Sequence, residues 1–219
     1  MISSRIKTLQ KGRHCFLAAL FPPKCVACRK EGHYVCERHR QLPPAPENQA
    51  SFKNIDHVHA CTAYYFLTAK KMVEFLKFRG FQEIAALMAD QILKDLPRTF
   101  WHHAVLVPVP LHWTRKLWRG FNQAELIAVE LERRVEELTI ARNLKRVKYT
   151  SQQAKLSKKN RKKNMQDVFV WKGKAIVPVR VILVDDVVAS GSTLDSAGEA
   201  LKLAGVKTVD AVVFARGGK

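Results

Sequence analysis

Val181-Ile182-Leu183-Val184-Asp185-Asp186-Val187-Val188-Ala189-Ser190-Gly191-Ser192-Thr193 is the stretch on which the fold turns. The apolar run Val179–Val184 predicts a strand buried on both faces, as in the middle of a parallel sheet. Two adjacent carboxylates are expected at its end, then a hydroxyl- and glycine-rich turn opening a helix over Leu194–Ala204, which Gly205 is placed to stop. In open α/β sheets, ligands bind in the crevice beyond the carboxyl ends of the strands. A turn such as Ser190–Thr193 offers backbone N–H groups and hydroxyls at a helix N-terminus, which suits a phosphate. Gly191 allows the backbone to approach the oxygens closely. Asp185 and Asp186 accept hydrogen bonds only, which suits the 2′- and 3′-hydroxyls of a ribose, directly or through Mg²⁺. Capping by Asp186 and Ser190 would explain one polar residue. It does not explain two neighbouring carboxylates, whose repulsion needs a compensating partner.

Working outward, strands and helices alternate. His57–Phe66 and Ala104–Val109 read as strands, and Val206–Ala215 as the last one. Lys70–Leu96 reads as two helices broken at Gly80, and Asn122–Leu138 as one amphipathic helix. This alternation predicts an α/β domain with a largely parallel sheet. The Pro-rich stretch 43–54 reads as a linker, which gives an N-terminal helix and metal module over 1–42 and the α/β domain over 55–219.

The first forty residues hold four of the five cysteines. Cys25-x-x-Cys28 followed by Cys36-x-x-His39 makes two knuckles, and four S/N ligands suit tetrahedral zinc. A redox pair at Cys25 and Cys28, or scattered buried thiols, are the competing readings, and His33 is a rival fourth ligand. Zinc here would be structural, because so small a module has little core. Cys15 and Cys61 are assigned to the interior.

The 219 residues carry a formal charge of +19, a field that attracts polyanions. No acidic residue occurs between Lys145 and Lys163, where Lys155, Lys158, Lys159, Arg161, Lys162 and Lys163 crowd together. The segment repels itself unless an anion is present, so it is expected to be mobile when empty, and it is the candidate nucleic-acid-binding element. A solvated basic loop is the plain alternative. No apolar run approaches the roughly 20 residues needed to span a bilayer. The short run Cys15–Phe21 leads into Pro22 and Pro23 rather than a cleavage site. It reads as a short helix on the body of a cytoplasmic protein.

The strand–Asp185-Asp186–loop pattern resembles the 5-phosphoribosyl-1-pyrophosphate motif of type I phosphoribosyltransferases, and the whole chain resembles one branch, the ComF family of competence (DNA-uptake) proteins, related to GntX. Val107-Pro108-Val109-Pro110 followed by Arg119-Gly120-Phe121-Asn122-Gln123 is similar to that branch's diphosphate loop and signature. Thr150, Gln153, Leu156, Arg161 and Asn164 are similar to its mobile-loop pattern. Two positions depart from the family's phosphate loop: Ser190 stands where Thr is frequent, and Ala189 replaces another common hydroxyl residue. His39 stands where the family usually has a fourth cysteine.

The resemblance implies a type I phosphoribosyltransferase-like parallel-sheet domain preceded by a small zinc-ribbon-like module. It implies phosphoribosyl diphosphate with Mg²⁺ at Asp185 and Asp186, the diphosphate against Val109 and Pro110, and the 5′-phosphate against Ala189 to Thr193. Arg119 or the basic segment would close over the diphosphate. The family's link to DNA uptake implies handling of single-stranded DNA, with a DNA-uptake helicase as a further partner. No residue announces a nucleophile, a general base or a pocket for a nitrogenous acceptor. An active glycosyltransferase of nucleotide metabolism and a non-catalytic sensor of phosphoribosyl diphosphate therefore stay open beside the DNA reading. Trp101, Trp113, Trp118 and Trp171 are candidate stacking groups.

Overall fold

The structure, a computed structural model, describes residues 22–46, 52–79, 82–147, 168–173 and 176–217. The helix expected over Cys15–Phe21, the mobile-loop pattern from Thr150 to Asn164, and Lys155, Lys158, Lys159, Arg161, Lys162 and Lys163 all lie outside these residues. The chain divides into two compact units between Leu42 and Pro43.

In the smaller unit, Val26 N–H donates to Tyr34 O at 2.9 Å and Cys25 N–H to Lys30 O at 2.8 Å. Lys24 and Glu31 form an antiparallel bridge. Arg29, just after the first knuckle, takes a positive φ of 65°. A short helix, α1 (Glu37–Arg40), follows Cys36.

The larger unit contains β1 (His57–Ala63), α2 (Leu67–Arg79), α3 (Gln82–Asp95), β2 (Val105–Pro108), α4 (Trp113–Arg119) and α5 (Gln123–Glu132). Then come β3 (Thr139–Ile140), β4 (Leu144–Arg146), β5 (Phe169–Trp171), β6 (Arg180–Val188), α6 (Ser192–Leu203) and β7 (Thr208–Arg216). Five strands form a parallel sheet in the order β1-β7-β6-β2-β3, while β4 and β5 pair as a separate antiparallel ribbon. This is the α/β class expected from the alternation of elements. Val181 and Leu183 pack with Leu194, Ala197 and Leu201 of α6 on one face. On the other face, α5 packs against β6 and α3 against α5, with Ile84, Met88, Ile92, Ile127 and Leu131 fully buried.

Two expectations change. The strand expected to stop at Val184 runs on to Val188, because β7 is long enough to keep pairing with it through Val188↔Arg216. The helix expected to reach Leu138 stops at Glu132. Arg134 Nη1 caps it by donating to Glu130 O at 2.8 Å, and Glu136 and Glu137 would have brought negative charge to the negative end of a longer helix. The described parts of the 43–54 stretch are tied to the larger unit: Thr62 Oγ1 donates to Pro43 O, and the Lys53 and Asn54 N–H groups donate to Asp195 Oδ1, each at 2.8 Å.

Candidate functional site

The site begins with an asymmetry around β6. On the β7 side its backbone is paired to the end, but β2 pairs with it only from Val105↔Val181 to Pro108↔Val184. Pro108 and Pro110 have no N–H to extend a ladder. Val109 N–H makes one last bond, 2.9 Å to Val184 O, and the chain then turns away into α4. The β2 side of Asp185–Val188 is therefore bordered by the Val109–Leu111 loop rather than by a strand.

Side chains alternate along a strand, so Asp185 and Asp186 leave β6 toward opposite faces, yet the two carboxyls stay within reach of each other and both feel Lys77. Asp185, half-buried, shares its face with Val181, Leu183 and the start of α6. Its Oδ1 accepts the Asp186 N–H at 2.8 Å. Burial, and then the charge of Asp186, push the Asp185 carboxyl well above the usual carboxylate range, while that N–H and Lys77 pull the other way. Asp186 is buried at 3% exposure, and its Oδ2 lies 2.8 Å from Lys77 Nζ of α2. The compensating cation that the sequence required is thus Lys77. Its signal was available: Lys77 falls four residues after buried Val73 and next to buried Leu76, so a cation sits beside the inward stripe of α2.

Gly191 separates β6 from α6 with a left-handed φ of 75°. A Cβ there would also collide with the Phe52 ring, so glycine is required twice over. The first N–H used inside the helix is that of Asp195, which donates to Gly191 O at 2.9 Å. The earlier first-turn N–H groups have no intrahelical acceptor, as at any helix start. Ser190 Oγ and Ser192 Oγ lie 2.9 Å apart beside them. Ala189, Ser190 and Gly191 thus lead into the helix, whose first two residues are Ser192 and Thr193, two positions before the start expected at Leu194. The anchoring of Lys53 and Asn54, next to Phe52, by Asp195 was not legible, because these residues lie far apart in sequence.

The Arg119–Gln123 signature has a local explanation. Gly120 ends α4 with φ of 80°. Asn122 caps α5 by accepting the Ala124 N–H at 3.2 Å, and its Nδ2 donates to Val109 O at 3.0 Å. One asparagine thus starts a helix and pins the loop holding Val109 and Pro110. Arg119 Nη1 donates to Gln123 Oε1 at 2.7 Å, and its guanidinium lies over the Phe78 ring, 6.0 Å from the centroid. The charge of Asp186 reaches Arg119, so Lys77, Arg119 and Asp186 form a cationic cluster around a buried anion. Arg119 is placed with Asp186, on the face opposite Asp185.

In the smaller unit the four ligands expected from spacing converge: one donor atom each from Cys25, Cys28, Cys36 and His39 lies within 4.8 Å of all the others. Cys28 Sγ to Cys36 Sγ is 3.8 Å, Cys25 Sγ to His39 Nδ1 is 3.7 Å and Cys36 Sγ to His39 Nδ1 is 3.2 Å. Two sulfurs each bound to zinc at ~2.3 Å in a tetrahedron are about 3.8 Å apart, so the donor set fits such an ion. His33 is not in the cluster. Burial pushes the Cys25 thiol up, but the Cys36, Cys28 and Ala27 N–H groups outweigh it and lower it to about 6. Burial and the neighbouring Cys25 and Cys28 push the Cys36 thiol up. The cluster could hold a metal such as zinc.

A parallel α/β sheet whose central strand carries two carboxylates and feeds a glycine turn into a helix defines a phosphoribosyltransferase-type fold, and the phosphoribosyl transferase domain family matches residues 118–219. Competence protein F of Haemophilus influenzae is 38% identical over 113 residues, covering 51% of this chain and 49% of that protein. The DNA utilization protein YhgH of Salmonella typhimurium is 29% identical over 196 residues, covering 85% and 80%. Competence protein ComFC of Bacillus subtilis is 32% identical over 133 residues, covering 60% and 52%. The chain is thus similar to proteins of the ComF family, and its larger unit has a phosphoribosyltransferase-type fold. Its match spans about half the length of each competence protein. Among the described residues no helix is long and apolar enough to cross a membrane.

Proposed function

We propose that this chain binds phosphoribosyl diphosphate or ribose-phosphate groups and handles single-stranded DNA in the cytoplasm during natural transformation. The observation that carries the reading is the one-sided edge of β6, where the β2 ladder ends at Pro108↔Val184 and leaves Asp185, the Gly191 turn and the pinned Val109–Pro110 loop at the same end of the sheet. A 5′-phosphate would take the first-turn N–H groups of α6 and the Ser190, Ser192 and Thr193 hydroxyls. Asp185 would hold the ribose hydroxyls, with Mg²⁺ supplying positive charge between carboxylate and diphosphate. Asp186 would act through Lys77 and Arg119, fixing two cations rather than touching sugar. Zinc on Cys25, Cys28, Cys36 and His39 would hold the smaller unit folded.

The DNA part of the reading is supported by α4. It buries no residue, and Trp113, Leu117 and Trp118 are 67%, 79% and 75% exposed. Phe78 meets Trp118 edge-on at 6.4 Å. Arg115, Lys116 and Arg119 share this helix, and no acidic residue occurs between Val109 and Ala124. Exposed rings interleaved with cations suit base stacking along a phosphate chain. Trp101 is buried and Trp171 packs on the core, so neither is available for stacking.

Replacing Trp113 and Trp118 by Ala should weaken binding of a single-stranded oligonucleotide by about 1–3 kcal/mol per stacked base. Wild-type affinity should fall steeply between roughly 50 and 200 mM salt, with little sequence preference. Fluorescence anisotropy reads both. Affinity indifferent to salt and to both tryptophans would remove single-stranded DNA from the reading.

A further inference from the structure

A second group of potential metal ligands lies in the larger unit, away from the β6 crevice and from the Cys25 cluster. His59 and Cys61 are two residues apart on β1, so they share one face of the strand at the edge of the sheet. Asp95 is the last residue of α3. One imidazole nitrogen, the Cys61 sulfur and one Asp95 carboxylate oxygen all lie within 4.8 Å of one another.

Asp95 accepts from Gln91 Nε2 at 3.1 Å and hydrogen-bonds with the Cys61 thiol, but neither contact accounts for His59. His59 Nε2 is buried without a hydrogen-bond partner. The Asp95 carboxylate it faces is 3.9 Å away, too far for a hydrogen bond. A carboxylate at a helix C-terminus is opposed by the helix dipole, which the exposed Gln91 bond only partly offsets. A core thiol bonded to Asp95 would explain Cys61, which is 3% exposed, but not a buried imidazole nitrogen left without a partner beside the same two groups.

We propose that His59, Cys61 and Asp95 bind one divalent transition-metal ion of the zinc type. The donors are one nitrogen, one sulfur and one oxygen, all accepted by zinc, and a contraction of about 1 Å would bring them to tetrahedral ligand spacings. Asp95, at the exposed end of α3, is the ligand that would make it, at the expense of its exposed bond from Gln91. A thiolate and a carboxylate neutralise the dication. Arg216, whose charge also reaches His59, is the opposing group, so this site is weaker than one with four ligands and no nearby cation. Three protein ligands leave a fourth position for water. The bound ion would tie the edge strand β1 to the end of α3, and the Cys61 thiol proton would pass to solvent on binding.

The test is a Co²⁺ titration of the full-length chain, stripped of metal, in a Cys25→Ser/Cys28→Ser background that silences the first cluster. One equivalent should bind with a thiolate-to-cobalt charge-transfer band. His59→Ala should lower the affinity at least tenfold, and Cys61→Ser should abolish the band. A His59→Ala control with unchanged circular dichroism separates lost ligation from lost folding. If that background does not fold, the same question is asked of the otherwise wild-type chain. Two equivalents should then fall to one in His59→Ala. Cobalt binding that ignores His59 in either background, or no band dependent on Cys61, would overturn the proposal.

Discussion

Replacing Cys25 and Cys28 by Ser should remove about one equivalent of zinc per chain and unfold the 22–42 segment, while the thermal transition of the α/β unit persists. The size of the effect follows from how little else holds the segment together. Its buried apolar side chains, besides the cysteines Cys25 and Cys36, are Val26 and Val35. Fully burying two such side chains gives about 3–6 kcal/mol, whereas structural zinc gives about 10–16 kcal/mol in small peptides. On the proposed reading, the metal would therefore decide whether the segment folds. The lowered Cys25 thiol and the spacing of the four donors make the cluster ready for the ion. Metal analysis of protein purified without added metal, with amide exchange over 22–42, reads the outcome. Full metal content in the double variant would show that the ion is held elsewhere.

The next largest effect is expected at Lys77. Lys77→Met leaves the Asp186 carboxylate, 3% exposed, without its ion-pair partner. Breaking a buried pair from one side costs about 3–5 kcal/mol, and partial exposure of Lys77 places this pair toward the lower end. Removing both partners with Lys77→Met and Asp186→Asn should recover most of the loss, since the stranded charge is then gone. Urea unfolding of the two single variants and the double variant gives the coupling directly. Additive losses would mean that the two side chains do not depend on each other. The same geometry makes Asp186→Asn a poor probe of ligand binding, because it disturbs Lys77 as well as any ligand.

Much of the fold was legible because its signals are local. The apolar run 181–184 marked a strand covered on both faces, 206–215 read as the last strand, the break expected at position 80 falls between α2 and α3, and Gly205 follows the end of α6. The length of β6 was not legible. Asp185 and Asp186 read as the end of a strand, but the partner that keeps them in the sheet is β7, which follows α6. The shorter reading also hid the alternation that sends the two carboxylates to opposite faces. At the site, the Gly191 turn could be read because glycine and hydroxyls announce themselves. Lys77, Asn122 and the Asp195 anchor could not be matched to their targets, since each acts on residues distant in sequence. The four donors of the smaller unit that could hold a metal were read from their spacing, and only the geometry groups His39 rather than His33 with the cysteines.

The central claim is that the β6 crevice holds a ribose phosphate through Asp185 and the Gly191 turn. Burial and Asp186 hold the folded Asp185 carboxyl above its unfolded value. The empty protein therefore gains stability as pH falls through that raised value, and a ligand needing the carboxylate loses affinity in the same direction. The most direct measurement is calorimetric titration of the chain with phosphoribosyl diphosphate, with and without Mg²⁺, for wild type and Asp185→Asn. The account predicts Mg²⁺-dependent binding that weakens toward acid pH and falls at least tenfold in Asp185→Asn, whose unfolding transition stays in place. Equal binding by both proteins, or none by the wild type, would contradict it.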